Sequence, residues 1–253
     1  MPPISATVIT HNEAANIARA IRSLDCADEI LVVDSGSTDA TVKIAAELGA
    51  RTIVHPWEGF AAQKNFAVRE ARHDWILSLD ADEELNEEAR AAIREWKQST
   101  PAVAAYRYAR RPQYLGRWIL HSGWYPDWKV RLFDRRKARW AGDYVHESVV
   151  PKGPVETMNG EILHYTCDSL ADHRKRIEFY TELAAREMFD RGRHSSFLRR
   201  LLAPVWVFVI TYFFRLGVLD GVPGFLIAWM AARYVRRKYA KLAKLQAGGR
   251  GNR

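Results

Sequence analysis

The sequence contains few cysteines, and this scarcity argues against several classes of small cross-linked protein. Only Cys26 and Cys167 are present among 253 residues, without the paired spacing of a zinc site. A disulfide framework is not expected, and the composition fits a reducing compartment. Because 48% of the residues are hydrophobic, a chain of this length can bury a core without cross-links.

No secretion signal, internal repeat or low-complexity linker is recognisable either. The opening residues MPPISATVITHNE contain no basic stretch followed by an apolar core, so we expect the protein to stay in the cytoplasm. Without a repeat or a linker, the length predicts one domain, or one domain with an appendage. No apolar run reaches the roughly 20 residues that a membrane-spanning helix requires.

Positive charge is abundant, with 38 Lys and Arg against 30 Asp and Glu and a formal net charge of +8. Such an excess fits nucleic acid, an anionic membrane or phosphorylated substrates. The densest basic run, at 233–244, directly follows two apolar runs at 201–214 and 216–232 that Arg215 separates. This position favours an anionic membrane surface over nucleic acid, which would require basic and aromatic side chains on one exposed face.

The two apolar runs predict a membrane-associating hairpin at the C-terminus. We expect two helices, joined by the turn DGVPG, that lie in or dip into one membrane leaflet. The flanking basic residues, including Arg199 and Arg200, would then contact lipid phosphates. The alternatives are an apolar homo-oligomer interface through the C-terminal helices and a hairpin buried in the core.

Short β-rich runs alternate with segments of helical spacing in the first part of the chain. This alternation predicts βαβ units, and hence an α/β fold with a mostly parallel sheet and helices on both faces. Ligands of such sheets bind at the carboxyl ends of the strands. The predicted strands are 4–9, 29–33, 51–54 and 75–79, and the helical segments include 13–24 and 39–49.

The rest of the chain is predicted as a helix, a looser β-rich region and a helical end. Asn86 is a plausible N-cap for a helix over 86–98, and 101–165 shows aromatic-rich short strands and loops. Asp168 or Ser169 would cap a long helix to about Asp190, ended by Gly192, with an apolar stripe of Ile177, Tyr180, Ala184 and Met188. We therefore expect an α/β domain over 1–168 and a helical C-terminal region over 169–253.

Polar side chains collect where three of the predicted strands end. Carboxylates that meet at one sheet edge require a cation or hydrogen-bond donors between them, and oxygen ligands suit Mg²⁺ or Mn²⁺. A diphosphate that completes the metal shell would make the substrate nucleotide-linked. Asp34 alone also fits ordinary turn chemistry. The strand ends carry Thr10, His11, Asn12 and Glu13, then Asp34, then Asp80, Asp82, Glu83 and Glu84.

The stretches VITHNEAANI, VVDSGSTDAT and LSLDADEEL, in this order, resemble glycosyltransferase family 2 enzymes of the GT-A fold. Those enzymes transfer sugars from nucleotide diphosphates with inversion. Ser35 stands where the family often has a second Asp. The resemblance implies a nucleotide-sugar site of Thr10, His11, Glu13, Asp34 and Asp80, with Asp82 of the DxD motif as a ligand of Mg²⁺ or Mn²⁺.

Later stretches resemble the subgroup that contains the lipopolysaccharide core β-1,4-glucosyltransferases. They are GFAAQKNFA, HSGWYPDWKVRLF, GDYVHESV, ILHYTCDSL and RLGVLDGVPGFLIA, so nearly the whole chain is covered. The resemblance implies transfer of a hexose, with glucose expected, to a lipid-linked saccharide such as the lipopolysaccharide inner core. It also implies a peripheral or monotopic protein at the cytoplasmic face of the bacterial inner membrane.

Inverting transfer requires a base near the acceptor hydroxyl and a neutralised leaving group. Glu147 in VHES stands where the family usually has the catalytic Asp of its xED motif, and Asp143 is its nearest rival. A structural ion pair of Glu147 with an arginine is the alternative. His164 matches a histidine that often completes the metal shell in GT-A enzymes, although a hydrogen-bonded core histidine would look the same.

Three further residues are assigned to the substrates. Lys64 in QKNFA would meet the donor phosphates or brace the aspartates, unless it is a solvated helix lysine. Trp124, in a polar loop, would contact the acceptor sugar, and Arg131 would meet anionic groups of the acceptor. A core aromatic and a solvated charge are the respective alternatives.

Two other functions compete with transfer to a saccharide. A transferase that makes a polyprenyl-phosphate sugar would need no general base, because its acceptor is a phosphate. A nucleotide-sugar-binding or membrane-scaffold protein would need no catalysis at all. The intact DAD and HE motifs, at 80–82 and 146–147, argue against the second of these.

Overall fold

The chain forms two compact units in a computed structural model that describes residues 1–142, 147–167 and 169–250. The first unit comprises Met1–Arg111 and Asp127–Tyr165, and the second comprises Pro112–Pro126 and the chain from Thr166 onward. The second unit thus contains a segment from the middle of the sequence. The domain boundary at residue 168 stays a prediction.

Four parallel strands form one half of the main sheet, in the order β3, β2, β1, β4. Every residue of β1 is buried, including Ser5 and Thr7, as is typical of a parallel strand that is covered on both faces. The predicted βαβ units are confirmed. The strands are β1 (Ile4–Thr10), β2 (Glu29–Asp34), β3 (Arg51–Val54) and β4 (Trp75–Asp80), and the helices between them are α1 (Ile17–Arg22), α2 (Thr41–Glu47) and α3 (Phe60–Glu70).

Later strands continue the sheet from β4 in the order β8, β6, β11, β5, with β7 on β6. Their pairings β4 with β8, β8 with β6 and β11 with β5 are antiparallel. The α/β class, with a Rossmann-like parallel part and flanking helices, is confirmed. The strands are β5 (Glu83–Leu85), β6 (Ala105–Tyr114), β7 (Arg117–Trp118), β8 (Asp127–Asp134) and β11 (Glu156–Cys167), and a separate pair consists of β9 (Ala138–Ala141) and β10 (Ser148–Pro151).

Two predicted helix starts are confirmed by their caps. Helix α4 (Glu87–Trp96) follows Asn86, whose side chain accepts a 2.8 Å hydrogen bond from the Ala89 amide. Helix α5 (Leu170–Asp190) follows Ser169, whose hydroxyl accepts a hydrogen bond from the Asp172 amide. The other predicted cap, Asp168, lies outside the described residues.

The buried face of α5 differs from the predicted stripe. Ile177 is buried as expected, but its buried companions are Thr181 and Ala185, whereas Tyr180, Ala184 and Met188 are only partly buried. Thr181 tolerates burial because its hydroxyl donates to the Ile177 carbonyl at 2.6 Å. Because threonine is polar, the sequence pattern did not identify position 181 as part of the buried face of α5.

The C-terminal apolar runs form a helical hairpin. Helix α6 (Phe197–Val209) continues as a π-helical turn, Ile210–Phe214, and α7 (Gly221–Arg250) follows a 3₁₀ turn, Gly217–Asp220. By length and composition alone, the stretches Phe197–Phe214 and Gly217–Gly248 are each sufficient to cross a membrane. They exceed the apolar runs of the sequence because flanking polar residues are also helical. We call 197–232 the apolar hairpin.

Candidate active site

The ends of β1, β2 and β4 meet at one edge of the sheet. Thr10 is paired with Asp34, and Ile9 with Asp80, in the parallel registers. The loops after β1 and β2 are also joined, because the Asn12 side-chain oxygen accepts a 2.8 Å hydrogen bond from the Thr38 amide. The predicted convergence of the strand-end side chains follows from this register.

Asp34 organises the loop that follows β2. Its buried carboxylate accepts hydrogen bonds from the Gly36 and Ser37 amides, both at 2.8 Å, and from the Ser37 hydroxyl. Gly36 has φ of +87°, a backbone conformation that favours glycine. Asp34 therefore stabilises the turn after β2, as the alternative interpretation of this residue predicts. Contact between Asp34 and a nucleotide base stays a prediction.

The residues at and after the end of β1 that were predicted to bind the nucleotide sugar differ in their surroundings. Thr10 is buried, and its hydroxyl has no hydrogen-bond partner within the described part of the chain. His11 is exposed beside the Asn12 amide, and the Glu13 carboxylate accepts a 2.7 Å hydrogen bond from Asn16. Thr10 and His11 thus keep hydrogen-bonding capacity for a ligand at the sheet edge.

Lys64 joins two of the predicted site carboxylates. It lies on α3 with only 2% of its side chain exposed, and its Nζ is 2.8 Å from Asp80 Oδ1 and 2.9 Å from Glu147 Oε1. A buried ammonium group requires such partners, because burial without them would cost several kcal/mol. The side chain therefore braces the carboxylates and is not a solvated helix lysine.

Arg131 completes the charge network around Asp80. Its Nη2 lies 2.9 Å from Asp80 Oδ2 and 2.7 Å from Glu83 Oε1, and Arg110 Nη1 lies 2.9 Å from the same Glu83 oxygen. Burial disfavours the charged form of Asp80, but Lys64 and Arg131 outweigh burial and hold its pKa well below the usual range. Arg110 was not predicted as a site residue, because no spacing rule distinguishes it from the neighbouring basic residues.

These charged residues surround a cavity of about 290 Å³ in the first unit. Arg131 and Trp140 line it, and both are buried. Arg131 Nε and Nη1 and Trp140 Nε1 find no hydrogen-bond partner among the residues that the structure describes. An unsatisfied buried donor costs about 1–3 kcal/mol, so ligand or water oxygens are expected here.

Asp82 and His164 come together, as a shared metal site would require. Asp82 Oδ2 lies 3.3 Å from His164 Nε2, and two adjacent ligands of one octahedral ion are also about 3 Å apart. The carboxylate and the imidazole are both suitable ligands. In the described ranges, no group of three His, Cys, Asp or Glu side chains could hold a metal.

The two aspartates of the DxD motif have different partners. The chain turns at 81–82, directly after β4, so Asp80 is the last residue of the strand and Asp82 lies in the turn. Asp80 contacts Lys64 and Arg131, whereas Asp82 contacts His164. The Asp82 carbonyl also accepts a hydrogen bond from the Tyr165 amide at 2.9 Å, which fixes the turn to β11.

The remaining predicted residues have mixed surroundings. Trp124 belongs to the second unit, where its half-buried ring packs edge to face against Tyr114 at 5.5 Å between centroids. This packing fits the core alternative, and the acceptor role stays a prediction. Asp143, the rival base, and His146 lie outside the described residues.

The comparisons with known proteins agree on a family. The sequence profile described as Glycosyl transferase family 2 matches residues 5–156. An uncharacterised glycosyltransferase of Rickettsia typhi is 34% identical over 264 aligned residues, with 99% of this chain and 90% of its own covered. The lipopolysaccharide core biosynthesis glycosyltransferase LpsC of Rhizobium meliloti is 30% identical, with 97% of this chain and 93% of its own covered.

Solved structures give a weaker likeness. Glucosyl-3-phosphoglycerate synthase from Mycobacterium tuberculosis, in complex with Mn²⁺, uridine diphosphate and glucosyl-3-phosphoglycerate, is 22% identical to this chain. The TM-score is 0.36, and 44% of each chain is covered. A likeness of this extent is too low to transfer a ligand or an activity.

Proposed function

This chain belongs to glycosyl transferase family 2, and we propose that it transfers a hexose with inversion from a nucleotide-diphosphate sugar to a lipid-linked saccharide. Glucose is the first donor sugar to test. The lipopolysaccharide core relative from Rhizobium meliloti supports a core saccharide as the acceptor, and we take the inner core as the first to test. The reaction would be one displacement at the anomeric carbon, without a covalent intermediate.

The observation that carries this proposal is the shared ammonium group of Lys64. It connects Asp80, at the strand end assigned to the donor, with Glu147, which we assign as the general base. Both carboxylates line the same cavity, and 15% of the Glu147 side chain stays exposed. A carboxylate fixed in this way can accept a proton from an acceptor hydroxyl that enters the cavity.

We assign Asp82 and His164 as the protein ligands of Mg²⁺ or Mn²⁺. Their 3.3 Å separation and ligand chemistry support this assignment. A bound divalent ion would neutralise negative charge on the departing nucleoside diphosphate. Arg131 and Lys64, whose positive charges face the same cavity, would orient the oxygens of the substrates.

Metal-dependent donor binding provides the direct test. In calorimetric titrations of UDP-, ADP- and GDP-sugars, one donor is expected to bind only with Mn²⁺ or Mg²⁺. Asp82→Asn should weaken that binding by about tenfold or more, because it removes a charged ligand. Asp25→Asn, at a surface pair with Arg94, is the matched control. If no donor binds with or without metal, the non-catalytic scaffold becomes the better explanation.

The apolar hairpin supports a location on the membrane. Its largest apolar side chains face solvent in the second unit, and basic residues flank them, a combination typical of helices that bind anionic lipid. We therefore propose that the enzyme is monotopic at the cytoplasmic face of the inner membrane. The side chains that are at least 50% exposed are Phe197, Leu198, Leu201, Leu202, Val205, Trp206, Phe213, Phe214, Leu216, Leu219, Val222 and Trp229.

Vesicle binding is expected to depend on these side chains. Phe213→Glu should weaken sedimentation with phosphatidylglycerol vesicles at least tenfold, since burial of one such side chain contributes about 1.5–3 kcal/mol. The matched control is Val54→Glu, a similarly exposed position at the end of β3. If the wild-type protein does not bind vesicles and sediments as a dimer in their absence, the hairpin would instead be identified as a homo-oligomer interface.

One observation favours a second candidate reaction. Three nitrogen atoms, Arg131 Nε and Nη1 and Trp140 Nε1, have no hydrogen-bond partner among the described residues and suit an anionic acceptor, because they donate hydrogen bonds and cannot accept them. Transfer to polyprenyl phosphate would place such a group in the cavity. That reaction needs no general base, so a substitution of Glu147 separates the two candidates.

A further inference from the structure

A buried carboxylate ties the tip of the apolar hairpin to another segment of the second unit. Asp220 ends the 3₁₀ turn between α6 and α7, and 4% of its side chain is exposed. It accepts hydrogen bonds from the Leu120 and His121 amides, both at 3.2 Å, from His121 Nδ1 at 3.0 Å and from the Ser122 hydroxyl at 2.9 Å. Four donors thus satisfy one buried charge.

Backbone contacts reinforce this attachment. The Ser122 amide donates to the Arg215 carbonyl at 2.8 Å. A Cβ atom at Gly123 would lie 2.6 Å from Arg215 Cδ, and one at Gly217 would lie 2.9 Å from Ser122 Oγ, so neither position has room for a side chain without movement. Hydrogen bonds and close packing therefore connect the segment Leu120–Gly123 to the hairpin tip.

This attachment restricts how the hairpin can enter a bilayer. Phe197–Phe214 is 18 residues, about 27 Å of helix, so an upright hairpin would carry its tip deep into the hydrocarbon. The tip would take the polar segment at 120–122 with it. Arg215, which is exposed at the tip, would also lose its hydration. Hydrocarbon strongly disfavours such groups.

The exposed apolar face suits the opposite orientation. Leu198, Leu201, Leu202 and Val205 are exposed at helical spacing along α6, and Phe213 extends the same exposure to the tip. Only 6% of the stretch Phe197–Phe214 is buried. The whole length of the hairpin, and not only its tip, therefore offers apolar surface to a leaflet.

We propose that Asp220 is a positioning residue that keeps the apolar hairpin in the plane of one leaflet. By fastening the tip to Leu120–Ser122, it holds that segment at the level of the lipid headgroups. A lipid-linked acceptor would present its saccharide at the same level. The inference rests on the proposed membrane association, but the experiment below separates the two.

The depth of three labels distinguishes an in-plane from an upright hairpin. Single cysteines at Leu198, Val205 and Phe213 would carry an environment-sensitive dye, quenched by spin-labelled lipids in phosphatidylcholine and phosphatidylglycerol vesicles. Both native cysteines are buried, and burial raises the pKa of the Cys26 thiol to about 11, so the introduced thiols react first. We expect all three labels at one depth, about 5–10 Å below the phosphates.

Each other outcome overturns a different statement. An upright hairpin would separate the labels at 198 and 213 by about 22 Å, which would overturn the in-plane orientation. If neither the three labelled variants nor the unlabelled protein binds vesicles, the proposed membrane association is wrong. These two failures are readily distinguished, because the first requires bound protein.

The role of Asp220 is tested by its own substitution. In Asp220→Asn, the label at Phe213 is expected to move deeper than the label at Leu198, because the tip is no longer fastened. Asp190→Asn, at the exposed end of α5, is the control and should leave all depths equal. If Asp220→Asn does not fold, Ser122→Ala replaces it in the depth measurement, because it removes the Ser122 hydroxyl that donates to Asp220. Equal depths in a folded variant would overturn the proposed role.

Discussion

Replacement of Glu147 by Gln is expected to slow sugar transfer by about 10²–10⁴-fold. The amide has the shape of the carboxylate and can still accept a hydrogen bond from Lys64, which lies 2.9 Å away, so the cavity should keep its form. It cannot take a proton from the acceptor hydroxyl. Donor affinity should therefore change little while the chemical step is lost.

The measurement is the rate of nucleoside diphosphate release with inner-core lipopolysaccharide as the acceptor, alongside donor binding by calorimetry. Glu156→Gln, at an exposed position at the start of β11, should leave both unchanged. If Glu147→Gln retains most of its activity, the base assignment is wrong and transfer to a phosphate acceptor gains support. Activity that survives only with polyprenyl phosphate would identify that acceptor directly.

Replacement of Lys64 by Met is expected to lower the free energy of unfolding by about 3 kcal/mol. Loss of one partner from a buried ion pair typically costs 3–5 kcal/mol. The low end applies because Asp80 and Glu147 keep 26% and 15% of their side chains exposed, and because Arg131 still contacts Asp80. The variant should also lose transferase activity, since Glu147 is no longer held.

Urea unfolding monitored by tryptophan fluorescence measures this loss. Lys43→Met is the matched control, because Lys43 is 77% exposed and lies 3.9 Å from Glu47, a surface pair of small energetic value. That variant should stay within about 0.5 kcal/mol of the wild type. A Lys64→Met protein as stable as this control would show that the network around Asp80 does not depend on the ammonium group.

The parallel half of the fold was predictable from sequence because its signals are local. Each of the first four strands is a short β-rich run, three of them end in a polar residue, and segments of helical spacing lie between them. The antiparallel half was harder to predict. A register shift at Tyr106 and Arg107 breaks the alternation of β6, so a strand of ten residues looks like loops and short strands.

The candidate site also has a part that local sequence signals predict and a part that they do not. The convergence of Thr10, Asp34 and Asp80 follows from the parallel direction of their strands, which the alternation of strands and helices in the sequence indicates. The contact between Lys64 and Glu147 joins residues 83 positions apart, and the pairing of Asp82 with His164 joins residues 82 positions apart. The first contact depends on the position of the separate β9–β10 pair, and the second depends on the pairing of β11 with β5, so no local signal encodes either of them.

The ammonium group shared by two carboxylates also has a consequence for how the family could diversify. A chain that lost the carboxylate at position 147 would lose a proton acceptor but keep a buried cation, Lys64, in the same cavity. That cation attracts phosphate oxygens. One mutation at position 147 is therefore expected to favour a phosphate over a hydroxyl acceptor, with the residues at the strand ends unchanged.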